Sequence, residues 1–274
     1  MSLKESIKKI PFAIKAYITY IKIWNKMFRK HNVAMMHIGR VGSTVLGDMM
    51  NQHPKIFWDG EPFERLMRIG KNKPKDFVAQ IITESSNKLA VPIYSFATKF
   101  MPQQHLWHEC INMDLASYLS VLQKMNIDEF IFIKRENYLK QVISVLVGRK
   151  KKEWHSQNKT TKITKINIDI QEYEAGYDLK LPLIEYFERI DKQYELLLDL
   201  VNSKKLLLIS YEKDIEKDPF KAYTKVCEFL KIKNANPKIS FRKTNPFLLE
   251  DMIENYNEVK LILENTRYAW MLEE

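Results

Sequence analysis

Two cysteines occur in 274 residues, Cys110 and Cys227, far apart and without a C-x-x-C pair. So few, so spaced, they exclude a disulfide framework and read as reduced structural thiols in a reducing compartment. No window approaches the ~18 consecutive apolar residues that cross a bilayer. No apolar stretch with a small-residue cleavage site resembles a secretory signal, so the expected location is cytoplasmic. The sequence shows no internal repeat and no low-complexity linker. Acidic residues are outnumbered, 34 to 44, and the net charge of +10 suits an anionic ligand, nucleic acid or an acidic surface. The lysines are scattered rather than gathered into a stripe with interleaved aromatics, which argues against nucleic acid as the partner. His105 and His108 stand at i, i+3, but no H-E-x-x-H and no further ligand cluster accompany them, so no metal is expected.

With 45% hydrophobic and 12% aromatic residues, a sizeable core is available. The pattern reads as strands alternating with helices. Strands are expected at Val33 to Ile38, Ile56 to Trp58, Val91 to Lys99, Phe130 to Lys134 and Leu206 to Ser210. Helices are expected at Ser43 to Asn51, Phe63 to Ile69, Pro74 to Thr83, Asp114 to Lys124, Asn137 to Val147, Leu183 to Val201 and Pro219 to Leu230. Asn158 to Asp169, polar and threonine-rich, reads as an exposed insertion or flap. Such alternation implies a central parallel sheet flanked by helices in three layers, with a ligand beyond the carboxyl ends of the strands. Residues 31–274 are expected to form one α/β domain behind an N-terminal helical extension, 1–30. In that extension Ile10 to Arg29 mixes apolar and aromatic positions with Lys15, Lys22 and Lys26. Two readings stay open: a leading helix docked on the domain, or a basic amphipathic helix in peripheral contact with a membrane surface.

The most telling stretch is Met36-His37-Ile38-Gly39-Arg40-Val41-Gly42-Ser43-Thr44. An apolar run breaks at a glycine turn and a helix opens after it, the arrangement in which backbone N–H groups converge on an anion. Arg40 adds a planar donor fork, and Ser43 and Thr44 add hydroxyls. The run departs from G-x-x-x-x-G-K-[ST], because no lysine precedes Ser43. A second run, Lys134-Arg135-Glu136-Asn137-Tyr138-Leu139-Lys140-Gln141-Val142-Ile143-Ser144, places an arginine at a strand tip. A serine follows about two and a half turns along the next helix, and the pair is able to clamp a phosphate. Tyr211 follows a third strand, so all three lie on one rim of the sheet.

Arg40-Val41-Gly42-Ser43-Thr44 resembles the 5′-phosphosulfate loop of sulfotransferases, especially bacterial and carbohydrate types with arginine in place of lysine. Arg135, Asn137, Leu139, Gln141, Val142 and Ser144 resemble that family's 3′-phosphate motif. Ser210-Tyr211-Glu212, Asp218-Pro219 and Glu228-Phe229-Leu230 resemble a later signature, with Lys213-Asp214-Ile215 a mild departure. The resemblance, from about Met36 to Leu230, implies a P-loop-like fold. It also implies transfer of a sulfuryl group from 3′-phosphoadenosine 5′-phosphosulfate (PAPS), with 3′-phosphoadenosine 5′-phosphate (PAP) as product, to a small-molecule or glycan acceptor. Arg40, Val41, Gly42, Ser43 and Thr44 would hold the 5′-phosphosulfate, and Arg135 and Ser144 the 3′-phosphate. Tyr211 would touch the adenine or serve as core. Arg242-Lys243-Thr244 resembles a basic loop that closes over the donor, although its usual glycine is missing.

Transfer to a hydroxyl calls for a general base. Glu61, in Asp59-Gly60-Glu61-Pro62, resembles the segment that carries it in carbohydrate sulfotransferases. A helix N-terminal carboxylate is the other reading. His37, His53 and Glu64 are rival bases, although His37 also reads as buried in its strand and His53 as part of a structural His-Pro helix stop; Lys99 either meets an anionic acceptor or is solvated. Trp58, Phe63, Trp107 and Trp154 either stack on sugar faces or fill the core. Arg149-Lys150-Lys151-Lys152 is either a solvated helix end or an attractor of anions. The alternatives to a sulfotransferase are a P-loop nucleotide kinase or NTPase and a non-enzymatic basic nucleic-acid-binding module.

Overall fold

A computed structural model describes residues 12–63, 76–100, 113–155, 162–176, 179–201, 205–243 and 245–273. Five parallel strands form the central sheet: β1 (His31–His37), β2 (Ile56–Trp58), β3 (Ile93–Lys99), β4 (Glu129–Lys134) and β7 (Lys205–Ser210). Their spatial order is β2-β3-β1-β4-β7, with β1 at the centre. The register sets His37 beside Lys99 and Met36 beside Phe132, so the chain leaves β1, β3 and β4 on the same rim. That rim is where the glycine turn, Lys99 and Arg135 emerge.

The helices between them are α1 (Phe12–Phe28), α2 (Ser43–Asn51), α3 (Phe77–Ser86), α4 (Leu115–Lys124), α5 (Tyr138–Lys151), α6 (Leu183–Val201) and α7 (Pro219–Phe229). The chain ends in α8 (Leu249–Met252), α9 (Tyr256–Leu263) and a 3₁₀ turn, Ala269–Leu272. Helix starts follow side-chain chemistry. Asp114, Asn137 and Asp218 each accept a backbone N–H of the first turn they cap, and Pro219 stands at the first position of α7. Val33, Ala34, Met35 and Met36 are fully buried, as a central parallel strand covered on both faces requires. Phe130, Ile131 and Ile133 continue the same core on β4.

One reading of the sequence is corrected. The stretch expected as an exposed flap is, over its described residues 162–169, anchored. Ile166 and Ile168 are buried, Ile166 bridges Ile253, and the Asn255 side chain bonds both N–H and C=O of Ile168. Its isoleucines alternate with polar residues, and that period-two signal was masked by the threonines and lysines around them. An unforeseen antiparallel hairpin, β5 (Tyr173–Gly176) with β6 (Leu179–Leu181), follows it. The helix expected over Phe63 to Ile69 lies outside the described residues beyond Phe63, which itself is in the core between Phe96 and Tyr118.

Candidate functional site

The turn after β1 holds three left-handed residues within four positions: Gly39 (φ 88°), Arg40 (φ 55°) and Gly42 (φ 83°). Glycine is required at 42, where an added Cβ would stand 2.8 Å from Ile215 Cγ2 and 3.1 Å from the Tyr211 ring. Arg40 adopts a conformation that L side chains avoid, so its surroundings must hold it there. They do so from three sides. Gly39 N–H donates to His37 Nδ1 (3.0 Å), Gly39 C=O accepts from Gln141 Nε2 (2.7 Å), and Arg40 C=O accepts from an Arg135 terminal nitrogen (3.1 Å). Gly42 caps α2 with no side-chain acceptor on the helix's first N–H groups. Those donors and the positive end of the dipole remain for an anion.

The Arg40 side chain reaches across to α5. Its Nε donates to Ser144 Oγ (2.8 Å), a terminal nitrogen donates to the Trp154 carbonyl (2.5 Å), and the guanidinium lies 5.8 Å from the Trp154 ring. Burial, and then the neighbouring Arg135, lower its pKa to about 10, which leaves it charged at neutral pH. Arg135 is itself buried, stacked 4.4 Å over the Tyr211 ring, and its Nε has no hydrogen-bond partner. An orphaned cationic donor in a buried position is expensive unless an anion completes it. Thus the two sequence motifs, some 95 residues apart, meet through side chains.

Behind Arg135 stands a residue to which sequence reasoning assigned no role. The Glu212 carboxylate accepts the N–H groups of Glu136 (3.1 and 3.0 Å) and Asn137 (3.0 Å), fixing the chain where β4 gives way to α5. It belongs to a π-helical turn, Tyr211–Ile215, whose Ser210 and Asp214 bond backbone N–H groups in turn. The Ser-Tyr-Glu sequence was its visible signal.

A cleft of about 1400 Å³ opens over the rim. Its walls include the turn from Gly39 to Thr44, Arg135, Ser144, Tyr211, Lys243, Glu61 and Lys99. Glu61 and Lys99 form an ion pair of 2.6 Å at the tips of β2 and β3. Trp58 also lines the cleft. It packs flat over Gly47 of α2, where any added Cβ would collide with the indole. Trp154 is seated on Gly148 in the same way, 2.8 Å from where a Cβ would stand. Lys243 pairs with Glu216 at 3.3 Å, and Thr244 lies outside the described residues.

Other expected site residues fall elsewhere. His37 is fully buried under the turn, and burial, then the Lys99 charge, push its pKa down to about 3. Its Nδ1 serves Gly39 N–H, and the ring lies beneath the turn rather than in the wall of the cleft. His53 is likewise structural: Nε2 meets the Lys233 carbonyl at 3.0 Å and Nδ1 accepts from Lys55 N–H. Arg149 and Lys150 of the basic run are engaged by the Glu174 and Lys165 carbonyls. Glu64, Trp107, His105, His108 and Cys110 lie outside the described residues. Among the described residues, no group of three or more His, Cys, Asp or Glu is placed to hold a metal, and no helix is long and apolar enough to cross a membrane.

No family model matches the chain, and no curated protein matches it. Among solved structures it is similar to the crystal structure of a sulfotransferase from Alicyclobacillus acidocaldarius, with a TM-score of 0.52 and 12% identity. The match covers 89% of this chain and 94% of the other. The chain therefore has a sulfotransferase fold, with a P-loop-like turn between the central strand and its helix.

Proposed function

We propose that the protein transfers a sulfuryl group from PAPS to a hydroxyl of an acceptor, a carbohydrate or a glycolipid, by in-line displacement. One observation supports this above the rest. An uncapped helix N-terminus, the half-buried Arg40, the buried Arg135 and a buried serine hydroxyl meet beside the cleft that Glu61 and Lys99 also line. A nucleotide that is anionic on both its 5′ and 3′ sides needs two cationic contacts, and Arg40 and Arg135 supply them. The residues fit such a donor. Arg135 Nε lacks a partner, and a Cβ built on Gly39 would enter open space, so a ligand is free to approach that backbone.

In this reading Arg40, Gly42, Ser43 and Thr44, with Val41 between them, hold the 5′-phosphosulfate. Arg135 and Ser144 hold the 3′-phosphate, and Tyr211 and Lys243 border the nucleotide. When bound, the donor supplies an activated sulfuryl group on a phosphate leaving group. Arg40 and the turn N–H groups meet the charge that grows on the leaving oxygen. Preorganised donors of this kind contribute roughly 3–4 kcal/mol each to a transition state. Ser144 orients the Arg40 fork directly, so one hydroxyl serves both ends of the donor site. Glu61 takes the proton of the acceptor hydroxyl, a role typically worth about 10²–10⁴ in rate. Lys99 holds that carboxylate in place. Trp58 and Trp154 line the cleft, where aromatic rings suit sugar faces. A nucleotide kinase built on this loop would place a lysine immediately before Ser43, where Gly42 stands.

The test is a transfer assay with sulfur-labelled PAPS and a panel of mono- and oligosaccharides and glycolipids. Label should enter at least one hydroxyl acceptor with the wild-type protein. Absence of labelled product from every acceptor, under conditions where PAP binds, would remove the transfer reading.

A further inference from the structure

We propose that α1 seats the protein on an anionic lipid surface. Over its 17 residues the helix buries Ile21 (2% exposed) and Asn25 (8%). Polar contacts near its end hold it: Asn25 Nδ2 and an Arg29 nitrogen donate to the Ser86 carbonyl, and Arg29 lies 5.5 Å from the Tyr94 ring. The exposed residues of the helix form two different faces. At ~100° per residue, Tyr17, Tyr20, Ile23 and Met27 cover an arc of about 120°. They are 57%, 56%, 55% and 67% exposed. Lys15, Lys22 and Lys26, all exposed, form a row about 40° wide between that arc and the buried face.

A helix docked only on its own domain would turn polar residues outward. Here the outward face is apolar and aromatic, and the charge is confined to one flank. That division suits a helix lying in a bilayer interface. Ile23 and Met27 enter the acyl boundary, the tyrosines sit at headgroup depth, and the lysines reach sideways to lipid phosphates. A second copy of the chain is a poorer occupant, since antiparallel apposition of this face would bring two lysine rows together. The chain's net charge of +10 adds long-range attraction to an anionic surface. Because α1 is too short in apolar length to span, it lies on the membrane rather than across it.

Co-sedimentation of the full chain with vesicles tests this. Binding is expected to phosphatidylcholine vesicles containing phosphatidylglycerol, weakly to phosphatidylcholine alone, and with a steep loss as salt is raised. Replacing Lys15, Lys22 and Lys26 by Gln should weaken binding about a hundredfold, from roughly fivefold per lysine. Replacing Tyr20, Ile23 and Met27 by Ser should weaken it at least ~10-fold. Circular dichroism and thermal midpoints of both variants should match the wild type, since all six side chains are exposed. Equal binding to both vesicle types, or none to either, overturns the proposal. So does a lipid-free dimer that the serine variant converts to monomer, which would make the face a self-association surface.

Discussion

Replacing Arg135 by alanine isolates the donor assignment. Arg135 is buried, stacks on Tyr211, donates one hydrogen bond to the Arg40 carbonyl and keeps its Nε unpartnered. If the free part of the fork meets a 3′-phosphate, the substitution removes about two charge-assisted hydrogen bonds at roughly 1.5–3 kcal/mol each. PAP affinity should then fall about 10²–10³-fold. AMP lacks that phosphate and reports only the indirect effect through the Arg40 turn, where one hydrogen bond from the guanidinium to the Arg40 carbonyl is lost; at about 1.5 kcal/mol this implies a loss of about tenfold. The ratio of PAP to AMP affinity, measured by calorimetry, is therefore the informative quantity. Arg135→Lys keeps a point charge without the planar fork and should fall between the two. Equal weakening of PAP and AMP would show that Arg135 only props the turn, and the 3′-phosphate assignment would fail.

Glu61→Gln should leave PAP affinity unchanged and lower turnover by about 10²–10⁴; wild-type turnover would remove Glu61 as the base. Glu212→Ala strips acceptors from the N–H groups of Glu136 and Asn137. It should cost about 1–3 kcal/mol in a denaturant titration, together with PAP affinity, since Arg135 adjoins that segment; full stability would contradict the capping role. His37 stays neutral in the fold, with a pKa of about 3, whereas an unfolded histidine protonates near 6.5. Below ~6.5 the unfolded chain binds a proton that the folded chain does not, so stability should fall by about 1.4 kcal/mol per pH unit down to ~3. His37→Asn keeps an acceptor for Gly39 N–H and should flatten that slope between pH 7 and 5; an unchanged slope would place the acid sensitivity elsewhere.

The sheet was legible because its inner strands, β1, β3 and β4, are buried on both faces and stand out as short apolar runs, such as Phe130 to Ile133. The glycine turn was legible for a related reason: Gly39 and Gly42 fall where only a left-handed backbone joins β1 to α2. What stayed hidden depends on distant partners. Nothing local to Ser144 says that it will bind Arg40, and nothing local to His37 says that its Nδ1 will hold Gly39 N–H. The buried Ile166 and Ile168 were missed because their core contacts come from residues near 253, far along the chain. Glu212 was seen as part of a signature, but its cap on Arg135's segment needed β4 and β7 to be neighbours.

The central claim is that the cleft is built for a nucleotide phosphorylated at both its 5′ and 3′ positions. Calorimetric titration of the purified protein with PAP, with AMP and ATP as controls, tests it most directly. The account predicts tight one-to-one binding of PAP, and AMP and ATP weaker by two orders of magnitude or more, since each lacks the group that completes Arg135. ATP binding as tightly as PAP would contradict it and turn the site into that of a phosphoryl-transfer enzyme.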